Sequence, residues 1–258
     1  MTKTILAGVA TLLCAIAPVS AQTSAGAADI PLSGHLSADM ANRFHAALAD
    51  GKPHIVRVNS SGGEDAPALA IAADIARSHS SLMVEGICAG PCANFLFLAA
   101  ARRTVQPGAP VIFTASASSR LAMVPSARRK EVSGAYESNA RQEKQLLQDR
   151  HVNAALLLEP QLGLATSCYS LTSRDTTGKA YINYRAQHIG WTPSRAWLTR
   201  AGISVNGFWP DTDAQLQAAL QKAIPGGARG SVAYSAAKSP AAETALLNQL
   251  GAIPECPK

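Results

Sequence analysis

Between residues 54 and 113, three short runs rich in β-branched and aliphatic residues alternate with two helical segments. The three runs, at 54–58, 82–84 and 111–113, predict strands. The two segments between them, at 67–78 and 91–101, predict helices. Strands that alternate with helices in this way form a parallel sheet with right-handed crossovers, because each connection must pass over the sheet before the next strand begins. We therefore expect an α/β fold, in which the second of these helices is buried.

Helices are also predicted outside this region. Helical periodicity marks four more segments, at 39–50, 126–159, 211–224 and 241–250. Asp65 is expected to cap the helix at 67–78, and Thr192 is expected to cap another helix that stops at Gly202. The Gly-, Ser- and Ala-rich stretch 225–240 predicts a loop.

The N-terminus has the pattern of a cleavable signal peptide. Lys3 precedes an apolar run over 5–19, which closes on the small-residue sequence Val19-Ser20-Ala21. The run is short for a membrane anchor, which needs about 20 apolar residues, and Cys14 lacks the small neighbour of a lipoprotein signal. We therefore expect cleavage of a signal peptide at 1–21. Residues 22–30 are then a flexible lead-in to a periplasmic or secreted protein without a membrane span.

Charge and cysteine content narrow the classes of function. The net charge is +6, but the basic residues are scattered and aromatic residues make up only 5 % of the chain. Nucleic-acid binders usually cluster basic residues with aromatics, so we expect no nucleic-acid partner. Once Cys14 is removed, an even set of cysteines remains, which favours disulfides over zinc in an oxidising compartment: Cys88, Cys92, Cys168 and Cys256. We expect no metal and no cofactor.

Gly62 and Gly63 follow the first predicted strand and form a sharp turn. Paired glycines leave backbone amides free to face an anionic or polarised oxygen, as an oxyanion hole or a phosphate site requires. A tight turn without a ligand has the same pattern, so the glycine pair alone does not select one interpretation.

The order of motifs resembles the Clp-protease/crotonase superfamily. Val58-Asn59-Ser60-Ser61-Gly62-Gly63, then a helix, then Cys88-Ala89-Gly90-Pro91-Cys92-Ala93 before an apolar helix, looks most similar to the exported bacterial branch. The resemblance covers roughly 31–165 and implies a Clp/crotonase-like β/α superhelix, with 166–258 as a helical C-terminal extension packed on the same core. It also implies a homo-oligomer, since family members are commonly trimers or stacked rings.

Two positions that hold the family's catalytic residues are occupied differently here. The resemblance assigns the nucleophilic serine to Gly90 and the general-base histidine to Thr114, while Asp175 is a loose candidate for the third member of the triad. A serine hydrolase needs a nucleophile and a base within hydrogen-bond reach. The resemblance therefore implies a pseudopeptidase that retains the oxyanion-type glycines Gly62 and Gly63.

A hydrolase with a relocated nucleophile is the alternative. Ser60 and Ser61 lie beside the glycines, and further serines follow Thr114; a histidine partner would come from His79, His151 or His188. Cys92 is a substitute nucleophile in this alternative, since a helix N-terminus lowers the pKa of a thiol. Its spacing from Cys88 also permits a disulfide across the Gly-Pro turn, and Cys168–Cys256 would then be the second bridge.

These residues predict a non-catalytic protein that binds or scaffolds a peptide or protein partner. A periplasmic serine or cysteine hydrolase is the alternative. Crotonase-type chemistry is not expected, because it needs a coenzyme A thioester and such thioesters are not expected outside the cytoplasm.

Overall fold

The computed structural model describes residues 29–122, 134–157, 169–174, 180–185, 188–227 and 231–235. Several predicted features lie outside these residues: the signal peptide, most of the lead-in, the start of the helix at 126–159, the helix at 241–250, Cys168, Asp175 and Cys256. No helix within the described ranges is both long enough and apolar enough to cross a membrane.

A parallel sheet forms the centre of the described chain. The strands, in chain order, are β1 (Asp29–Ser33), β2 (Ile55–Ser60), β3 (Ser81–Ala89), β4 (Arg103–Val105), β5 (Val111–Ile112), β6 (Tyr169–Arg174), β7 (Ala180–Arg185), β8 (His188–Pro193), β9 (Asn206–Gly207) and β10 (Ser231–Ser235). The largest sheet has the order β1-β2-β3-β4-β9, with β5 paired to the end of β3, and all these pairs are parallel. The predicted α/β fold is therefore confirmed.

Helices connect these strands. They are α1 (Ala38–Ala47), α2 (Asp65–Arg77), a π-helix (Cys92–Phe97), α3 (Ala117–Ala122), α4 (Gly134–Asp149), α5 (Arg195–Arg200) and α6 (Asp213–Ala223). Ser37, Ser194 and Thr212 cap α1, α5 and α6, because each side-chain oxygen accepts a hydrogen bond from the backbone N–H three residues later.

Alternate residues of β2 and β3 point to the buried side of the sheet. They are Val56, Val58, Leu82 and Val84, each with at most 1 % of its surface exposed. Helix α2 and the π-helix cover this side with fully buried Ile71, Ile75, Phe95 and Phe97. Because successive strand residues face opposite sides of a sheet, the residues between them lie on the other, more polar side.

Strand β1 lies at an edge of the sheet and pairs only with β2 among the described strands. Gly34 donates its N–H to the carbonyl oxygen of Asn59 at 3.0 Å. The backbone groups of residues 30, 32 and 34 therefore face β2, and those of 29, 31 and 33 face away. Pro31 fits in this strand because its missing N–H falls on the outer edge, where no ladder bond is lost.

The polar sequence of 102–110 predicts a turn, but the structure has strand β4 there. Arg103, the first residue of β4, is only 6 % exposed. Its Nε donates to the carbonyl oxygen of Phe97 at 2.6 Å, and a terminal nitrogen donates to that of Leu98 at 2.7 Å. Burial lowers the pKa of Arg103 to about 10. A strand of three residues that begins with arginine is too short to show an alternating pattern.

The C-terminal part contains strands as well as helices, so its description as a helical extension is wrong for these segments. β6 and β7 pair antiparallel, and β8 pairs in parallel with β10, which falls inside the predicted loop at 225–240. Thr192 and Pro193 close β8 rather than opening a helix, and Ser194 is the cap. The pairing of β8 with β10 decides the conformation here, as tertiary context commonly does for short segments. Trp191 and Trp209 nevertheless pack in the same apolar core as the π-helix.

Candidate functional site

The turn between β3 and the π-helix holds the position that the family resemblance assigns to the nucleophile. Gly90 has a φ of +57°, which a glycine adopts without the penalty of a Cβ. Its N–H donates to the carbonyl oxygen of Ile112 at 2.9 Å, and its own carbonyl accepts from the N–H of Asn94 at 2.8 Å. Gly90 is thus fixed between β5 and the first turn of the π-helix, a helix type that often marks functional sites.

Gly90 and Thr114 face each other. A Cβ built on Gly90 would lie 3.4 Å from Oγ1 of Thr114. The two positions assigned to nucleophile and base are therefore neighbours in space, although neither residue can fill the corresponding role. A glycine has no side chain, and a threonine hydroxyl is not a base at neutral pH.

Asn94 occupies the space beside this pair and is only 1 % exposed. Its Oδ1 accepts from the N–H of Thr114 at 3.2 Å, and its Nδ2 donates to the carbonyl oxygen of Thr114 at 3.1 Å. The amide thus fixes the backbone of Thr114. Asn94 was missed in the sequence, where its signal is that it is the single polar residue in the apolar segment 91–101.

The Gly62-Gly63 turn approaches Gly90 from the end of β2. Gly62 has a φ of +111°, and a Cβ on it would lie 3.0 Å from the carbonyl oxygen of Ala89. A Cβ on Gly63 would collide with the backbone of Leu36. Both glycines are thus required by close packing. The N–H of Gly62 donates to Oγ of Ser60 at 3.2 Å, so this amide is already used within the turn, and the oxyanion role of the pair stays a prediction.

Ser60 and Ser61 flank this turn but differ in exposure. Ser60 is 1 % exposed, and its hydroxyl donates to the carbonyl oxygen of Gly34 at 2.6 Å, whereas Ser61 is exposed. His79 follows the C-terminal end of α2, a helix of 13 residues, and therefore lies about 20 Å from the turn at the other end of that helix. The structure does not bring these serines and His79 together.

The other histidines named as partners lie at different places. His151 follows α4 with a φ of 52° and donates its N–H to the carbonyl oxygen of Gln148. It is about 12 Å along the helix axis from Glu143, where the serines after Thr114 are bound. The backbone of His188 opens β8, but its side chain lies outside the described part of the chain.

Cys88 and Cys92 flank Gly90 and are bonded to each other. Their Cα atoms are 5.3 Å apart and their sulfurs 2.05 Å apart, and neither residue is exposed. Cys92 therefore has no free thiol in this structure. Among the described residues, no three His, Cys, Asp or Glu side chains come together as metal ligands would.

A buried carboxylate binds the serines that follow Thr114. Glu143 of α4 is 1 % exposed; its Oε1 accepts from the hydroxyl of Ser116 at 2.8 Å, and its Oε2 accepts from the N–H of Ser118 at 3.0 Å. Ser119 completes the cluster by accepting from the N–H of Ser116 at 2.7 Å. Burial raises the pKa of Glu143, against hydrogen bonds from Ser118 and Ser116 that lower it.

Asp65 has a different role from the predicted cap. It is the first residue of α2, and the cap position is Glu64, which makes no side-chain cap bond. The Asp65 carboxylate instead forms an ion pair with Arg120 of α3. Burial lowers the pKa of Arg120. This pair ties α3 to the helix that begins beside the Gly62-Gly63 turn.

Comparisons with known proteins give distant structural similarity alone. No family model matches the chain, and a search of the curated proteins finds no relative. Among solved structures, the chain is similar to a mutant of ClpP1 from Listeria monocytogenes, with 14 % sequence identity and a TM-score of 0.37. The alignment covers 48 % of this chain and 71 % of that one. The α/β assignment rests on the strands and helices of the chain itself.

Proposed function

We propose that this chain is an exported Clp-like pseudopeptidase that acts by binding rather than by hydrolysis. The observation that carries the proposal is the contact between Gly90 and Thr114, whose Cβ-to-Oγ1 approach would be 3.4 Å. Nucleophilic catalysis needs a hydroxyl or thiol beside a base, with the base oriented by a third group. Gly90 supplies no nucleophile, and the side chain hydrogen-bonded to Thr114 is the amide of Asn94, which is not a base.

The cluster around Glu143 does not replace the missing chemistry. Ser116 and Glu143 are within hydrogen-bond distance, 2.8 Å, but Ser116 is 0 % and Glu143 1 % exposed. A substrate carbonyl therefore has no path to the Ser116 hydroxyl without opening of the contact between α3 and α4. Both oxygens of the carboxylate are engaged, one by Ser116 and one by the N–H of Ser118. This geometry supports a structural role for the cluster.

Export is part of the proposal. Its support is the apolar run at 5–19, which ends in the small-residue sequence Val19-Ser20-Ala21. The bond between Cys88 and Cys92 agrees with an oxidising compartment, where disulfides form and persist. Detection of a mature chain that begins after Ala21 in the periplasm or the medium tests this part.

The binding role completes the proposal. Since Gly90 and Thr114 supply no catalytic group, the surfaces and oligomer faces of the fold are left for interaction. A peptide or protein partner and a homo-oligomer are both part of this hypothesis, the latter by the family resemblance alone. Light scattering of the mature protein measures the oligomeric state directly.

An ester-hydrolysis assay tests the loss of catalysis. The mature protein is incubated with p-nitrophenyl acetate beside Ser60→Ala, Ser61→Ala and Thr114→Ala variants. We expect all four proteins to hydrolyse the ester at one common rate, because no side chain is activated for attack. A turnover rate that falls at least about tenfold in one of these variants would support the relocated hydrolase instead.

A further inference from the structure

Helix α1 and the edge strand β1 enclose a surface groove of about 310 Å³. Its apolar lining comes from both elements: Ile30, Leu32, Met40, Phe44 and Ala47. Leu32 and Phe44 are buried and form the floor, whereas Ile30 and Met40 are half-buried. Of the described residues, neither Gly90 nor Thr114 lines the groove, so it is distinct from the former catalytic position.

The outer edge of β1 runs alongside this groove. The backbone groups of residues 29, 31 and 33 face away from β2, which leaves the N–H and carbonyl of Ser33 and the carbonyl of Pro31 directed outwards. These groups repeat every two residues, about 6.6 Å apart, which is the repeat of an extended peptide. A segment laid against β1 would form main-chain hydrogen bonds there and direct every second side chain towards α1.

Arg43 lies at the rim of the groove and is exposed. Four other arginines of the described chain form ion pairs with carboxylates: Arg57 with Asp29 and Glu85, Arg77 with Asp74, Arg120 with Asp65, and Arg141 with Glu137. Arg43 has no such ion pair among the described residues. A guanidinium without a partner beside an apolar groove favours a ligand that carries a carboxylate.

We propose that the groove between β1 and α1 binds an extended peptide segment of a partner protein as an added strand. Aliphatic side chains of the segment enter the apolar groove, and an Asp or Glu side chain two residues away binds Arg43. This inference rests on the binding role proposed above, to which it adds the surface and the kind of partner segment. The groove itself is defined by β1 and α1 alone.

A peptide selection tests this site. A displayed library of random nonapeptides is selected on the mature protein, and the enriched sequences are synthesised with a fluorescent label for anisotropy measurements. We expect enrichment of alternating aliphatic residues with an acidic residue at a spacing of two. Filling the groove with Ala47→Leu should weaken binding about tenfold, the value of one lost aliphatic contact. Arg43→Gln should weaken it about two- to fivefold, as for an exposed ion pair.

Matched variants act as controls. Ala46→Leu adds the same side chain one residue earlier in α1 outside the groove, and Arg102→Gln removes an exposed arginine elsewhere. Both should bind the peptide like the wild type. Two versions of the peptide are N-methylated, one at its odd and one at its even positions. Only one of them should lose binding, because an added strand uses every second N–H to pair with β1.

Two results would overturn the proposal. One is the absence of any enriched peptide with saturable binding, and the other is binding that Ala47→Leu and Arg43→Gln leave unchanged. A change of oligomeric state in Ala47→Leu without a change in peptide affinity would instead assign the groove to a second copy of the chain and would also contradict the proposal. None of these results alters the ester-hydrolysis rates, so the groove and the loss of catalysis can fail separately.

Discussion

The side-chain amide of Asn94 holds the backbone of Thr114 at two points. Its Oδ1 accepts from the N–H of Thr114 at 3.2 Å, and its Nδ2 donates to the carbonyl of the same residue at 3.1 Å. The π-helix is thereby joined to the segment that follows β5. This contact fixes the position of Thr114 relative to Gly90, and the side chain beside the pair is an amide rather than a base.

The first prediction concerns this amide. Asn94→Leu keeps the side-chain size but leaves the N–H and carbonyl of Thr114 without their partners. We expect the free energy of unfolding, measured by urea denaturation, to fall by about 2–4 kcal/mol, since each buried polar group left unpaired costs about 1–3 kcal/mol. The control Asn42→Leu, at an exposed position of α1, should change it by less than about 0.5 kcal/mol. Equal effects of the two substitutions would show that the Asn94 contact contributes nothing specific.

The second prediction concerns the pH dependence of Glu143. Burial raises its pKa in the folded chain, so the folded state holds this proton more tightly than the unfolded state. The stabilisation by the protonated form is complete below the unfolded pKa and is lost as pH rises through the folded pKa. Glu143→Gln stays neutral, so its stability relative to the wild type should increase as the pH rises above the ordinary glutamate pKa of about 4.3.

Glu137→Gln is the matched control for this pH series. Glu137 lies on the same helix but its side chain is 54 % exposed. Its difference from the wild type should stay nearly constant over the pH range. A Glu143→Gln curve parallel to that of Glu137→Gln would refute the assignment of the pH dependence to the buried carboxylate.

The third prediction concerns Arg103, which binds two carbonyl oxygens at the end of the π-helix. Arg103→Met retains much of the apolar stem but leaves both carbonyls without donors. We expect a loss of about 2–4 kcal/mol in the free energy of unfolding. The adjacent Arg102 is exposed, and Arg102→Met should have little effect. Calorimetry of the two variants distinguishes the effect of losing a buried side chain from the effect of losing a charge. Each substitution removes one positive charge, but only Arg103 is buried.

The fourth prediction concerns the Cys88–Cys92 bond. The residues are separated by four positions, and closing so short a loop stabilises a fold by about 2 kcal/mol in the chain-entropy model. The double variant Cys88→Ala, Cys92→Ala should lose about this amount. Iodoacetamide should modify neither residue in the folded wild type and both after reduction in denaturant, as read by mass spectrometry. Modification of Cys92 in the folded, unreduced protein would contradict the bond.

The central strands and helices were predictable because their signals are local. The β-branched and aliphatic runs at β2 and β3, and the apolar periodicity of α2, are visible in neighbouring residues alone. The role of Asp65 was not predictable in the same way. Its position before a helix favours a cap, but the ion pair with Arg120 depends on a helix far along the chain.

The candidate site was predicted in part. The family resemblance indicated Gly90 and Thr114, and the structure brings them together. The contacts of Asn94 and Glu143 were not predicted. The apolar neighbours of Asn94 indicate that it is buried but not that Thr114 is its partner, and a glutamate in a polar helix has no local mark of burial. β4 was missed for a similar reason, since Arg103 has its partners in the preceding helix and not in its own strand.

The most direct test of the central claim is labelling by a fluorophosphonate, which reacts with an activated serine. The mature protein is incubated with the probe beside a serine hydrolase as a positive control, and the adduct is measured by intact mass. We expect no stoichiometric adduct on this chain, because Gly90 and Thr114 supply neither nucleophile nor base. One adduct per chain, on a serine whose Ala variant no longer reacts, would contradict it.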